Sequence, residues 1–210
     1  DQINPHFLFN TLSTINSLIR THPDQARIVI IKLSAILRRL LYSRENLCPL
    51  KAELDFVEDY LNIERIRFGA DRLRLQKEIA PDVVNARVPM MLLQPIVENA
   101  VKHGIGGREQ GGTVTIRAHA EAGTLAIEVE DDGVGMTGRQ LEQSIRKGIG
   151  LSNIRERITS LYGDSGHLSL QSELGKGTLV RILLPLDTST GFPEHPRQVP
   201  AAPRAAFHSR

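Results

Sequence analysis

Thr124-Leu125-Ala126-Ile127-Glu128-Val129-Glu130-Asp131-Asp132-Gly133-Val134-Gly135-Met136 is the stretch that decides the fold. Leu125, Ile127 and Val129 alternate with other residues at period two, the pattern of a strand with one face turned to a core. The alternation ends at Asp131-Asp132, and two glycines follow. Such glycines let the backbone turn sharply and approach a ligand. An acid at a strand end, buried beside that turn, can accept a hydrogen bond from an exocyclic amine. The same residue types also make plain turns. Val114, Ile116 and Ala118 repeat the alternation just upstream, and Gly123 sits where the two strands would turn. Leu168 and Leu170, then Leu179 to Leu184, supply two more strands, and Leu151, Ile154, Ile158 and Leu161 step at helical spacing. Hairpin-linked strands mixed with helices imply an α+β two-layer sandwich.

Toward the N-terminus, Leu73, Leu75 and Ile79 alternate roughly as a strand, and Pro89 opens an apolar helix running through His103 to a stop at Gly104. Residues 1 to about 70 read as helical. Leu8, Leu12, Ile15 and Ile19 line one helix face; Ala26, Ile30, Leu33, Leu37 and Leu40 line another. Thr21-His22-Pro23-Asp24 separates the two, making a helical hairpin. Val29 and Ile36 widen the second stripe beyond what one partner helix needs, so the hairpin is expected to dimerise into a four-helix bundle. A third helix follows Pro49 through Leu54, Val57, Leu61 and Phe68, with Gly69 as its stop. The expected domains are 1–70, helical, and 71–186, the sandwich. Residues 187–210 hold four of the 11 prolines and no hydrophobic period, and are expected to be a disordered tail.

Composition excludes several classes. The 26 Lys and Arg nearly balance 24 Asp and Glu, which argues against a nucleic-acid binder. Six Phe, three Tyr and no Trp leave little for base stacking. Cys48 stands alone, so no internal disulfide is possible. No run approaches the roughly 18 apolar residues of a membrane span. The chain starts at Asp1 inside an apolar pattern and reads as a piece of a longer protein.

Three clusters carry chemistry. In Glu98-Asn99-Ala100-Val101-Lys102-His103-Gly104, helical spacing puts Asn99, Lys102 and His103 on one face. An amide oxygen there can bind Mg²⁺, and the two basic groups can meet phosphate. A polar end on a half-buried helix would look the same. Asp131-Asp132-Gly133-Val134-Gly135 is the second cluster. The third, Gly148-Ile149-Gly150-Leu151-Ser152-Asn153, opens a helix whose free N–H groups suit phosphate. It is neither a dinucleotide fingerprint nor a P-loop.

These clusters in this order, followed by Gly175-Lys176-Gly177-Thr178, resemble the GHKL ATP-binding fold of gyrase-type ATPases, Hsp90, MutL and histidine kinases. The resemblance implies that Asp131 holds the adenine amino group, with Thr178 in support and Gly133 and Gly135 shaping the turn. It implies that Asn99 binds Mg²⁺, that Lys102 and His103 face the phosphates, and that Lys147, Gly148, Gly150 and Leu151 approach them. Residues 137–147 would be a mobile lid over ATP. The N-terminal Gln2-Ile3-Asn4-Pro5-His6-Phe7-Leu8-Phe9-Asn10 closely resembles the phosphoacceptor box of LytS-type sensor histidine kinases. Leu92-Leu93-Gln94-Pro95-Ile96-Val97-Glu98-Asn99-Ala100 and Gly148-Ile149-Gly150-Leu151-Ser152-Asn153-Ile154-Arg155-Glu156-Arg157 resemble that family's ATP-binding boxes.

This second resemblance implies ATP- and Mg²⁺-dependent phosphorylation of His6 and transfer to an aspartate of a response regulator, often of LytTR type. It implies a homodimer, no direct contact with nucleic acid, and a cytoplasmic position in a membrane sensor whose spans would precede Asp1. Asn10, one turn after His6, would position water for regulator dephosphorylation. Two departures stand out. Phe7 occupies the place where most histidine kinases carry an acid, leaving Glu98 as a base candidate by sequence proximity alone. Pro95 occupies the place of the gyrase-type catalytic Glu, which disfavours an ATPase clamp. A module that binds ATP without phosphotransfer is the remaining alternative.

Overall fold

The computed structural model describes residues 5–42, 46–147 and 149–188. Two helices, α1 (Pro5–Thr21) and α2 (Pro23–Tyr42), form a hairpin, and a third, α3 (Leu50–Phe68), packs along it. Prolines at the first positions of α1 and α2 cost nothing, because their missing N–H would lie unpaired there anyway. The helix α3 ends at Gly69, whose φ of 102° turns the chain away while its N–H donates to Arg65 O.

The buried stripe of the hairpin is rotated from the expected one. Phe7, Thr11 and Ile15 of α1 and Ala26, Val29, Leu33 and Ile36 of α2 are buried, whereas Leu12, Ile19 and Ile30 lie exposed. Thr11 is tolerated inside because its hydroxyl donates to Phe7 O at 2.8 Å. Phe9, Ile28, Ile31 and Leu41 are also exposed, Phe9 by 68%. Thus one chain buries one side of each helix and leaves a second apolar side uncovered, more than isolated surface residues account for.

The second half is a five-stranded sheet in the order β2-β4-β5-β7-β6, from β2 (Leu73–Ile79), β4 (Gly112–Glu121), β5 (Thr124–Asp131), β6 (His167–Glu173) and β7 (Gly177–Pro185). A short pair, β1 (Leu47–Pro49) with β3 (Arg87–Pro89), ties the chain after α2 to the sheet domain. The expected alternations hold: Val114, Ile116, Ala118, Leu125, Ile127 and Val129 are all buried. The pairing of β2 with β4 is parallel, which needs the crossover that the segment between them supplies. Helices cover one face of the sheet. On the other, Arg117 pairs with Glu130 at 2.6 Å and Glu78 at 3.1 Å, and Arg181 with Glu128 at 3.4 Å.

Two helical boundaries differ from the sequence reading. The helix expected from Pro89 starts only at Gln94, as α4 (Gln94–Asn99), and gives way to a π-helical turn at Ala100–Ile105. Met91, at φ 58°, breaks any earlier start, and the buried Glu53 carboxylate takes the N–H groups of Met91 and Leu93 at 2.9 and 3.0 Å. The polar stretch 137–147, expected to be a mobile lid and given no element in the sequence reading, contains α5 (Gly138–Lys147). Its start is a reciprocal cap: Thr137 N–H donates to Gln140 Oε1 at 2.9 Å and Gln140 N–H to Thr137 Oγ1 at 3.4 Å. The helix α6 (Ile149–Tyr162) follows.

The start of β7 lies tight against the end of β5. Gly177 has φ 93°, and a Cβ there would overlap the carbonyl oxygen of Asp131. Gly177→Ala should therefore cost roughly 2–4 kcal/mol of stability, read as a lower urea midpoint with an unchanged slope.

Candidate nucleotide site

The register of the sheet builds the floor of the site. Asp131 is the last residue of β5 and lies opposite Thr178 of β7, which in turn lies opposite Ser172 of β6. The Ser172 and Thr178 hydroxyls are 3.0 Å apart, and Ser172 donates to Gly177 O at 2.8 Å. Three adjacent strands thus bring one carboxylate and two hydroxyls together at one end of the sheet.

Asp131 is 4% exposed. Its Oδ1 accepts the Gly133 N–H at 2.9 Å. Burial pushes its carboxyl up to about 6, and the nearby Asp132 adds to the rise, while hydrogen bonds from the Gly133 and Thr178 backbones oppose it. A carboxylate held this way seeks a further donor, and an exocyclic amine supplies one.

Above it opens a cavity of about 850 Å³, within the range that holds ligands of nucleotide size. Ile96, Ala100, Val129, Leu170 and Val180 give it an apolar lining beside Asp131. Asn99, Lys102 and His103 line it from the end of α4 and the π turn. That widened turn, a feature found often at functional sites, carries both basic residues on the cavity side. His103 is held below its usual value, first by partial burial and then by the Lys102 charge, so at neutral pH it acts as an uncharged hydrogen-bonding group. Gly150 and Leu151, in the first turn of α6, complete the wall. The α-carbon of Gly150 faces the Asn99 amide, with room for an ordinary contact and little more.

The structure thus gathers Asn99, Lys102, His103, Asp131, Gly135, Gly150, Leu151 and Thr178 around one cavity, with Gly133 hydrogen-bonded to Asp131 beneath it. Gly148 lies outside the described residues, as do the side chains of Lys147 and His6. The backbone of His6 is in the first turn of α1. Asn10 is half-buried on α1 and does not line the cavity. Gln140, Gln143 and Ser144 do line it, from α5. The sequence reading missed them, although Thr137-Gly138-Arg139-Gln140 carries the capping pattern that announces the helix.

Among the described residues no three His, Cys, Asp or Glu gather as a metal cage. A single amide oxygen such as that of Asn99 fits Mg²⁺ nonetheless, since this ion usually keeps water and phosphate as most of its ligands.

Ionising Asp131 in the folded chain is harder than in the unfolded chain, because its value rises from 3.8 to about 6. The folded state therefore holds the extra proton between those limits, and stability contributed by this group falls as pH rises through the window. Above it the buried charge costs on the order of 3 kcal/mol. Asp131→Asn should raise the urea midpoint of the ligand-free chain at pH 8, and the gain should shrink toward pH 4.

Residues 1–73 match the histidine kinase family, and residues 85–188 match the histidine kinase-, DNA gyrase B- and HSP90-like ATPase family. The chain is 37% identical over 185 residues to sensor histidine kinase YesM of Bacillus subtilis, covering 88% of this chain and 32% of that protein. It is 36% identical over 193 residues to sensor protein LytS of Bacillus cereus, covering 88% and 33%. It therefore spans about a third of the length of these relatives. The histidine kinase domain of a blue-light activated kinase of Erythrobacter litoralis superposes with a TM-score of 0.52 at 19% identity, covering 87% of this chain and 93% of that one. Acinetobacter baumannii AdeS superposes at 0.51 with 16% identity, covering 81% and 85%, and these two likenesses speak for the fold alone. With both halves matched in order, and with YesM and LytS among its relatives, the chain belongs to the histidine kinase family of LytS type.

Proposed function

We propose that this chain binds ATP in the cavity above Asp131 and transfers the γ-phosphoryl group to His6, from which it passes to an aspartate of a response regulator. The observation that carries the reading is one cavity bordered by Asp131, Asn99, Lys102, His103 and the start of α6, in a chain whose first helix opens on the His6 box. In this reading Asp131 accepts the adenine amino group, and Thr178 supports it. Lys102 supplies positive charge to the phosphates. His103 donates a neutral hydrogen bond, and the Gly150 region offers helix-start N–H groups. Mg²⁺ held by the Asn99 oxygen would offset phosphate charge. The imidazole of His6 attacks with a nitrogen lone pair. A P–N bond forms, the bond from the γ-phosphorus to the bridging oxygen breaks, ADP leaves, and the imidazole sheds one proton.

The same reading takes residues 1–70 as the dimerisation and phosphoacceptor unit, 71–186 as the ATP unit and 187–210 as a tail. The exposed Phe9, Leu12, Ile28 and Ile31 support pairing with a second copy through α1 and α2. A regulator of LytTR type and attachment to a membrane sensor belong to this proposal by family alone. No helix among the described residues is long and apolar enough to cross a membrane.

Incubation with radiolabelled ATP and Mg²⁺ tests the reaction. The label should be acid-labile and alkali-stable, and His6→Gln should abolish it. Label that survives His6→Gln in a dimeric preparation would refute the assignment of the acceptor, and nucleotide binding with no label in such a preparation would favour an ATP-binding module. Asn10→Ala should leave self-phosphorylation intact and slow regulator dephosphorylation, as measured by loss of label from the purified regulator. An unchanged rate would remove Asn10 from the mechanism. Asp131→Asn should weaken binding of a fluorescent ATP analogue by at least about tenfold, the scale of a lost hydrogen bond to a charged group. Wild-type affinity should decline as pH falls through about 6, where Asp131 takes up its proton.

A further inference from the structure

Glu53 lies on α3, far along the chain from the cavity residues, yet it is 1% exposed. Its Oε1 accepts Arg39 Nη2 of α2 at 2.7 Å and the Met91 N–H at 2.9 Å. Its Oε2 accepts the Leu93 N–H at 3.0 Å. Leu93 is the residue immediately before α4, the helix that ends in Asn99. A carboxylate from another helix thus caps the start of α4, a place where backbone N–H groups have no partner of their own.

Arg39 is built into the same joint. Its Nη1 donates to Ala52 O, its Nη2 approaches Cys48 Sγ at 3.5 Å, and its guanidinium stands over the Phe56 ring at 5.4 Å. The backbone between the two helices runs through it as well. Leu50 N–H donates to Ala86 O at 2.8 Å, and Met90 N–H to Asn46 O at 3.1 Å. Glu53 therefore has one charged partner, on α2, and three neutral ones, the Cys48 thiol at 3.6 Å and the two N–H groups at the head of α4. Withdrawing Arg39 would leave a buried carboxylate without its counter-charge, which strongly disfavours the arrangement as it stands.

We infer that Arg39 and Glu53 are positioning residues, a relay through which the placement of α2 against α3 sets the start of α4 and hence the phosphate end of the nucleotide cavity. The inference rests on the nucleotide reading above. It separates the two ends of the ligand. Asp131, on β5, lies outside the relay, whereas Asn99, at the end of α4, lies at its output.

The test measures affinity for ATP with Mg²⁺ and for adenosine, in wild type and Arg39→Met, with and without Glu53→Gln. Arg39→Met should weaken ATP by about tenfold, a scale typical of residues that couple sites at a distance, and leave adenosine within about twofold. In the Glu53→Gln background, where no buried charge awaits a partner, the same Arg39→Met change should alter ATP affinity by less than about threefold. Arg39→Gln, which also withdraws the counter-charge but can still hydrogen-bond the Glu53 carboxylate, takes the place of Arg39→Met in the cycle if the latter does not fold. Equal weakening of ATP and adenosine, no weakening of either, or an Arg39 effect independent of residue 53 would overturn the relay. A wild-type chain that binds neither ligand would instead overturn the nucleotide reading on which it stands.

Discussion

A carboxylate can be buried at the end of a central strand only if the chain around it leaves room, and glycines leave that room at Asp131. A Cβ on Gly104 would run into the Asp131 carboxylate, and one on Gly133 would run into the backbone of Gly104. The π turn after α4 therefore passes directly over the end of β5. Val134 N–H donates to Gly104 O at 3.0 Å and fastens the two segments together. Everything that borders the cavity follows from this crossing. The turn carries Lys102 and His103 over the strand end, β7 enters beside it, and α6 starts against Asn99.

The electrostatics follow the same plan. The acid lies deep in the sheet, next to the apolar lining, where burial first and then the neighbouring Asp132 charge raise its proton affinity. Lys102 and His103 lie at the open rim, and the second of these is discouraged from ionising. A ligand with an amine at one end and anionic charge at the other meets matching groups along its length, with its charged end nearest to water, where desolvation is cheapest. The stability lost at Asp131 and the binding expected from it have a single cause, the common trade at functional sites.

Much of this was legible in the sequence, because the physics behind it is local. Leu125, Ile127 and Val129 announce a half-buried strand by period, and Asp131 to Gly135 announces the turn. Gly69 reads as a helix stop for the same reason it is one. The failures come from tertiary context. Glu53 looks like any charge on a solvated helix face until Met91 and Leu93 arrive from about 40 residues away. Those bonds, with Met91 at positive φ, delay the helix that Pro89 appeared to open. In α1 the stripe of Leu8, Leu12, Ile15 and Ile19 was sound as a helix signal but did not say which apolar side faces α2. The parallel pairing of β2 left no trace in its own residues, since register with a distant strand is not encoded by alternation.

The hairpin between β4 and β5 turns at Ala122 and Gly123, the opposite end of β5 from Asp131. The seven residue steps of β5 from Thr124 to Asp131 span roughly 24 Å. The two positions lie on the same rigid strand but at its two poles, one fixed by close packing and the other bordered by open space, where a Cβ on Gly123 would touch nothing. That turn is accordingly a natural handle. A dye, a tether or a short inserted tag there would sit at the far end of the central strand of the sheet, away from the pocket, and report where the sheet lies relative to the helical hairpin.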